Sequence, residues 1–228
     1  MDAAMKAAHI KKIGHLDRRI LLISLYAICL GVVATGVAQA LTRLIGFCTN
    51  LFFFHRISLQ FIDPGQAPNW GPWVIAIPVI GGLIVGLMAK YGSKAIRGHG
   101  IPEAMEQILT NQSIIKPAIT YLKPLSSAIA IGTGGPFGAE GPIIATGGAL
   151  ASTIGQLLKI SDNERKILLA AGATAGMAAI FGSPVAAIFL AIELLLFEFS
   201  PRSLIPVAVA CITGAAGHHL LFGQKPVF

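Results

Sequence analysis

Charge is scarce in this chain. Asp, Glu, Lys and Arg make up 12% of its 228 residues, against 54% hydrophobic residues. With a mean hydropathy of +0.75, too little polar surface remains to cover a soluble domain of any size. Cysteine is scarcer still, with three residues. Cys29, Cys48 and Cys211 all lie in apolar runs, with no close pairing and no metal-ligand spacing. They are expected as buried small hydrophobes, and neither a metal nor an organic cofactor is implied. No signal peptide is expected: the first apolar run is too long for one and has no small-residue cleavage site.

What the chain has instead is apolar runs along nearly its whole length. They predict an all-α, polytopic, multi-pass protein whose principal partner is the lipid bilayer. The net charge of +7 is clustered, which argues against nucleic acid as a partner. Lys6, Lys11, Lys12, Arg18 and Arg19 precede the first run, and Lys90, Lys94 and Arg97 follow the second. The loop between, near Asp63, has only Arg56 close by. This asymmetry puts the N-terminus and residues 90–97 in the cytoplasm. Residues 1–19 read as a basic amphipathic segment on the inner membrane face, with a disordered basic tail as the rival reading. Residues 20–222 form the membrane domain, and 223–228 end the chain without a polar tail.

From Ile20 to Phe54 the sequence is apolar apart from Arg43 and Asn50. A helix of that length exceeds the hydrocarbon core and must tilt or run past it. Residues 64–72 predict an external turn with Trp70 and Trp73 as interface anchors. Val74 to Met88 returns. Gly98-His99-Gly100-Ile101-Pro102-Glu103 is a helix-start signal, and the helix it opens is too short to span. Lys116-Pro117 begins another helix, which runs to Ile131. After Leu158 a polar break offers Ser161 or Asp162 as a cap. An Ala/Gly-rich helix follows to Ile180, then a break at Phe181–Pro184, the run Val185–Phe197 carrying Glu193, and a last apolar run from Pro201.

The stretch from Gly132 to Pro142 is the least helix-friendly in the chain, rich in glycine with two prolines and a single acid, Glu140. Pro142 is expected at the first position of a helix that runs to Leu158. Glu140 would then lie just ahead of a helix N-terminus, where free N–H groups favour an anion. Irregular backbone inside a membrane survives only where it is packed in protein or lines a wet cavity. A carboxylate there is a functional candidate, and broken helices aimed at an anion are a transporter device. The competing reading is a glycine-rich helix contact with Glu140 as a plain N-terminal charge.

Three stretches together resemble one family. Gly98 to Glu103 resembles the GSGIPE motif, and Gly138-Ala139-Glu140-Gly141-Pro142 resembles G(K/R)EGP. Ala170-Ala171-Gly172 through Gly182-Ser183-Pro184 to Ile192-Glu193 resembles AAGAAAG…FNAP…IEE. In this order they resemble the CLC family of chloride channels and proton-coupled anion exchangers, over about residues 15 to 222. The resemblance implies an inverted-repeat fold, of which this chain matches the first repeat plus one helix, and a homodimer. It implies transport of small inorganic anions, chloride first, with Glu140 as the gate. Backbone groups of Gly138, Ala139, Glu140 and Gly141 would hold the outer anion, and His99, Gly100 and Ile101 would approach the central one. No enzymatic activity is implied.

The departures are specific. His99 replaces the motif serine, Ala139 replaces the motif Lys/Arg, and Leu194 replaces the second glutamate that relays internal protons. Protons as a coupled partner therefore stay open, as do fluoride and nitrate. The family's GxFxP motif and inner tyrosine lie in its second repeat and have no counterpart here, so a truncated gene or a separate polypeptide is expected. Rival readings are a non-conducting half, an unrelated broken-helix transporter, and an intramembrane serine protease using Ser183 with His218 or His219. Pro184 spoils the nucleophile turn of the last. The small residues Ala170, Gly172, Ala175 and Ala179, with the Val185–Phe197 run, are the expected dimer face. A bacterial inner membrane is the expected location.

Overall fold

The computed structural model describes residues 18–67, 71–98, 100–158 and 160–223. Most of the expected basic segment, Trp70, His99, Lys159 and residues 224–228 lie outside the described residues. Eight α-helices are described: α1 (Arg18–Phe54), α2 (Ala76–Leu87), α3 (Ile101–Thr110), α4 (Ile119–Gly132), α5 (Glu140–Leu157), α6 (Asp162–Phe181), α7 (Pro184–Leu190) and α8 (Pro201–Leu221). A π-helical turn extends α2 over Met88–Gly92, and another extends α7 over Ala191–Leu196.

Helix α1 has 37 residues, about 55 Å at ~1.5 Å per residue, well beyond the roughly 30 Å hydrocarbon core. Its inward stripe is Ile23, Ala27, Leu30, Ala34, Leu41 and Ile45, while Leu21, Leu25 and Val32 stay exposed on the other face. Among the described residues, three segments are long and apolar enough to cross a membrane: Arg18–Phe54, Gly71–Gly92 and Pro201–Leu221. Several buried hydroxyls are satisfied within their own helices: Thr35 donates to the Gly31 carbonyl at 2.9 Å and Thr42 to the Ala38 carbonyl at 3.0 Å. That is the arrangement a medium without water requires. Asn50 is not an interruption of the helix. Its fully buried amide donates to the carbonyls of Gly46 (2.8 Å) and Gln60 (2.7 Å) and accepts from Arg56 Nε (2.7 Å), pinning the extended segment after α1 back onto the helix.

The core is the crossing of α5, α6, α8 and α1, and small residues let the backbones meet. A Cβ on Gly172 would lie 2.6 Å from the Ala151 Cβ and 2.7 Å from the Gly147 carbonyl oxygen. This corrects the expected dimer face. Ala170, Gly172, Ala175 and Ala179 are fully buried inside the chain against its own helices, so they present nothing to a second copy. Cys29 is also corrected: it sits on the exposed face of α1, whereas Cys48 and Cys211 are buried as expected.

Two boundaries shift. Helix α5 begins at Glu140, so Pro142 is its third residue and Glu140 its first. The early N–H groups of a helix have no partner within it, so proline is tolerated there as at the first position. Helix α4 starts at Ile119 because Lys116 and Pro117 form a tighter turn, their carbonyls accepting from Ile119 and Thr120 N–H at 3.0 Å each.

The expected helix-start at the polar break is Ser161. Its hydroxyl accepts from Glu164 N–H at 3.4 Å, and the Glu164 carboxylate accepts from Ser161 N–H at 3.0 Å, a reciprocal cap. Arg19 at the start of α1 forms an ion pair with the same carboxylate at 2.5 Å, tying the first helix to the sixth.

Candidate functional site

Helix α3 is a half-helix of 10 residues, about 15 Å long. Its start depends on Gly100, which has φ of +102°, a conformation that residues with a Cβ rarely adopt. A Cβ there would also collide with the Gly141 carbonyl. The first turns of α3 and α5 are therefore in direct backbone contact, which is how two segments about 40 residues apart make one site.

On the α3 side, Glu103 Oε2 accepts the Gly100 N–H at 2.6 Å. That group is thus committed to a carboxylate, and Ile101 is left as the open donor of the Gly100-Ile101 pair. On the α5 side, Pro142 has no N–H and Ile143 N–H bonds the Ala139 carbonyl at 3.1 Å. Glu140 and Gly141 remain as the open donors of that turn. The glycines ahead of α5 close α4. Gly134, with φ of +83°, donates to the Ile131 carbonyl at 2.9 Å, and Gly135 to the Ala130 carbonyl at 3.0 Å. Gly138 and Ala139 lead directly into α5, Gly138 exposed and Ala139 buried.

These turns open onto a cavity of about 770 Å³, lined by Ile101, Lys123, Ser127, Phe137, Glu140 and Gly141 among others. Glu140 is exposed in it, and among the described residues its carboxylate has no hydrogen bond or ion pair. An unrestrained carboxylate at a helix N-terminus can lie over the N–H groups or swing away from them.

Lys123 was not singled out from the sequence. It is 4% exposed, and its ammonium donates to the Ile96 carbonyl at 2.9 Å and to the Gly98 carbonyl. It therefore holds the turn that leads into α3, and Glu103 bears on it electrostatically. The signal available in the sequence was a lysine inside an apolar run, which marks function by default. The far end of α3 is held as well. Gln112 and Ser113 have φ of 49° and 59°. Arg165 donates to the Gln112 carbonyl at 3.1 Å, and Ser152 donates to the Ser113 carbonyl at 2.6 Å while accepting from Ile115 N–H at 2.9 Å.

The remaining candidates lie elsewhere. Glu193 is exposed in the π-helical turn after α7. Glu198 accepts from the Ser203 hydroxyl and lies 3.8 Å from Lys166, a role at the start of α8. His218 is buried, and its Nδ1 donates to the Ala179 carbonyl at 2.9 Å, capping the end of α6; its ring is thereby oriented toward that helix end.

Fold and site together define an integral membrane protein built on broken helices whose N-termini converge on a cavity. A family model described as "Voltage gated chloride channel" matches residues 81–228. The chain belongs to that family, the CLC proteins. Chloride channel protein CLC-f of Arabidopsis thaliana is 32% identical over 200 residues, covering 81% of this chain and 24% of its own length. Among solved structures, a slow cyanobacterial Cl−/H+ antiporter superposes with a TM-score of 0.69 at 20% identity, over 93% of this chain and 49% of the other. A CLC-type fluoride/proton antiporter superposes with a TM-score of 0.67 at 23% identity, over 92% and 49%. The chain thus spans about half the length of the solved relatives it matches.

Proposed function

We propose that this chain contributes to a transmembrane pathway for small anions, chloride first, with Glu140 as its gate. The observation that carries the reading is the contact of Gly100 with Gly141. It brings two half-helix N-termini to one cavity, with an unpartnered carboxylate at the first position of one of them. Both dipoles and the open N–H groups favour negative charge there, so a transported anion and the Glu140 carboxylate compete for the same donors. Protonation removes the competitor. The relatives are named as chloride channels, chloride/proton antiporters and a fluoride/proton antiporter, which supports chloride with fluoride as the first alternative. Whether protons are coupled rests on the position of Leu194. The same reading puts the N-terminus in the cytoplasm of a bacterial inner membrane. A homodimer would use the exposed side of α7, Val185 and Phe189, because the small-residue face of α6 is occupied.

The test is anion efflux from liposomes across external pH, with proton uptake recorded in parallel, in a chain or complex carrying both repeats. Glu140→Gln copies the protonated acid in shape and charge. It should give chloride flux that no longer depends on pH and moves no protons. Glu106→Gln, an exposed position on α3, is the control. Glu103 is unsuitable for that role, since it holds the Gly100 N–H. Potassium flux equal to chloride flux would refute anion selectivity. Wild-type pH dependence retained in Glu140→Gln would show that the gate is another group.

A further inference from the structure

We propose that the Ser127 hydroxyl donates directly to the anion held in this cavity and helps to decide which anion is retained. The inference rests on the anion-pathway reading above and adds a contact from the α4 side. Ser127 lies four residues after Lys123, so the two share a face of α4, and both line the cavity, as does Ser126. The residue is only 9% exposed, yet its Oγ has no hydrogen-bond partner among the described residues. Among the described residues, the fully enclosed polar side-chain atoms without a partner are Ser24 Oγ, Thr120 Oγ1 and Arg165 Nε, and Ser127 Oγ is not one of them. Its oxygen therefore reaches open space, and the open space beside it is the cavity.

A serine within a helix ordinarily bonds a carbonyl one turn back. For Ser127 that carbonyl belongs to Lys123, and it already accepts from the Ser126 hydroxyl at 3.0 Å. Two serines in succession thus divide their roles: Ser126 satisfies the backbone and Ser127 is left facing the cavity. A hydroxyl on the cavity wall that makes no bond to the protein is free to donate to an acceptor that enters the cavity. The other polar groups there are mainly donors: the N–H groups of Ile101, Glu140 and Gly141, and the Lys123 ammonium. The acceptor that completes such a set is a small monovalent anion. Among the described residues that line the cavity, Glu140 carries the one carboxylate, and it is the competing charged acceptor.

The measurement is chloride binding by titration calorimetry on the purified chain or complex carrying both repeats, alongside the chloride dependence of its liposome efflux. Loss of one hydrogen bond to a charged ligand should weaken chloride binding in Ser127→Ala by about tenfold. The rise should fall on KM, with the maximal rate within about twofold of the parent. Ser127→Thr keeps the hydroxyl and should restore affinity. Ser126→Ala should leave affinity unchanged, because that hydroxyl faces backbone. A Ser127→Ala protein that binds chloride like the parent overturns the inference, as does an equal loss in Ser126→Ala. If the alanine variant does not purify, Ser127→Cys takes its place, since a thiol is a weak donor of similar shape; parental affinity there overturns the inference in the same way. A parent protein that neither binds nor moves chloride brings down the anion-pathway reading itself. A parent that binds chloride beside an unchanged Ser127→Ala brings down only the role of Ser127.

Discussion

Replacing Lys123 by methionine keeps the length of the side chain and removes its ammonium. Two hydrogen bonds from a charged donor are lost, to the Ile96 and Gly98 carbonyls, each contributing about 1.5–3 kcal/mol. The carbonyl of Ile96, in a residue 5% exposed, is left without its partner, which costs about 1–3 kcal/mol more. Against this stands the relief of no longer burying a charge, several kcal/mol in the opposite direction. The balance is a destabilisation of about 2–4 kcal/mol, or a fall in Tm of roughly 10 °C for a chain of this size. The damage should be local. The turn ahead of α3 loses its anchor, so α3 no longer presents its first N–H groups to the cavity. Thermal unfolding in detergent reads the first effect and chloride titration the second. Lys123→Met with parental Tm and parental chloride affinity would refute the reasoning and reduce the lysine to a packing group.

Two further outcomes follow from the geometry. Gly100→Ala places a Cβ against the Gly141 carbonyl at a residue with φ of +102°, so the two half-helices must separate; chloride flux should be abolished while the far helices stay folded by circular dichroism, and retained flux would count against the contact as the centre of the site. At the membrane face, the Arg19 hydrogen bond is the main reason the Glu164 carboxyl is held at about 2, below its ordinary 4.5; burial opposes this, and the Ser161 N–H and hydroxyl add to it. A depressed carboxylate stabilises the fold fully above about pH 4.5, and that contribution is lost as pH falls toward 2. Glu164→Gln should therefore flatten the stability profile between those limits, and an unchanged profile would show that the acid loss arises elsewhere.

Much of this molecule was legible in the chain itself. Scarce charge and recurring apolar runs fix a helical membrane protein, because no other backbone in a bilayer can satisfy its own polar groups over such lengths. Glycine and proline mark where helices must break, so α3, α5 and α7 could be placed to within a few residues, as could Ser161 as a cap. Glu140 stood out because a lone acid between glycines, ahead of a helix, has few other uses. The tertiary structure alone decided what each break faces. Gly100 meets Gly141 only because α3 and α5 pack together, and no local pattern encodes a contact across 40 residues. The small residues of α6 were expected at a dimer face, but close packing needs the same side chains in an internal crossing, and they are buried against α5 and α8. Lys123 and Ser127 were not among the site residues expected from the sequence. What they do depends on which carbonyls are already taken and which wall of the cavity they line, and only the packed backbone fixes either.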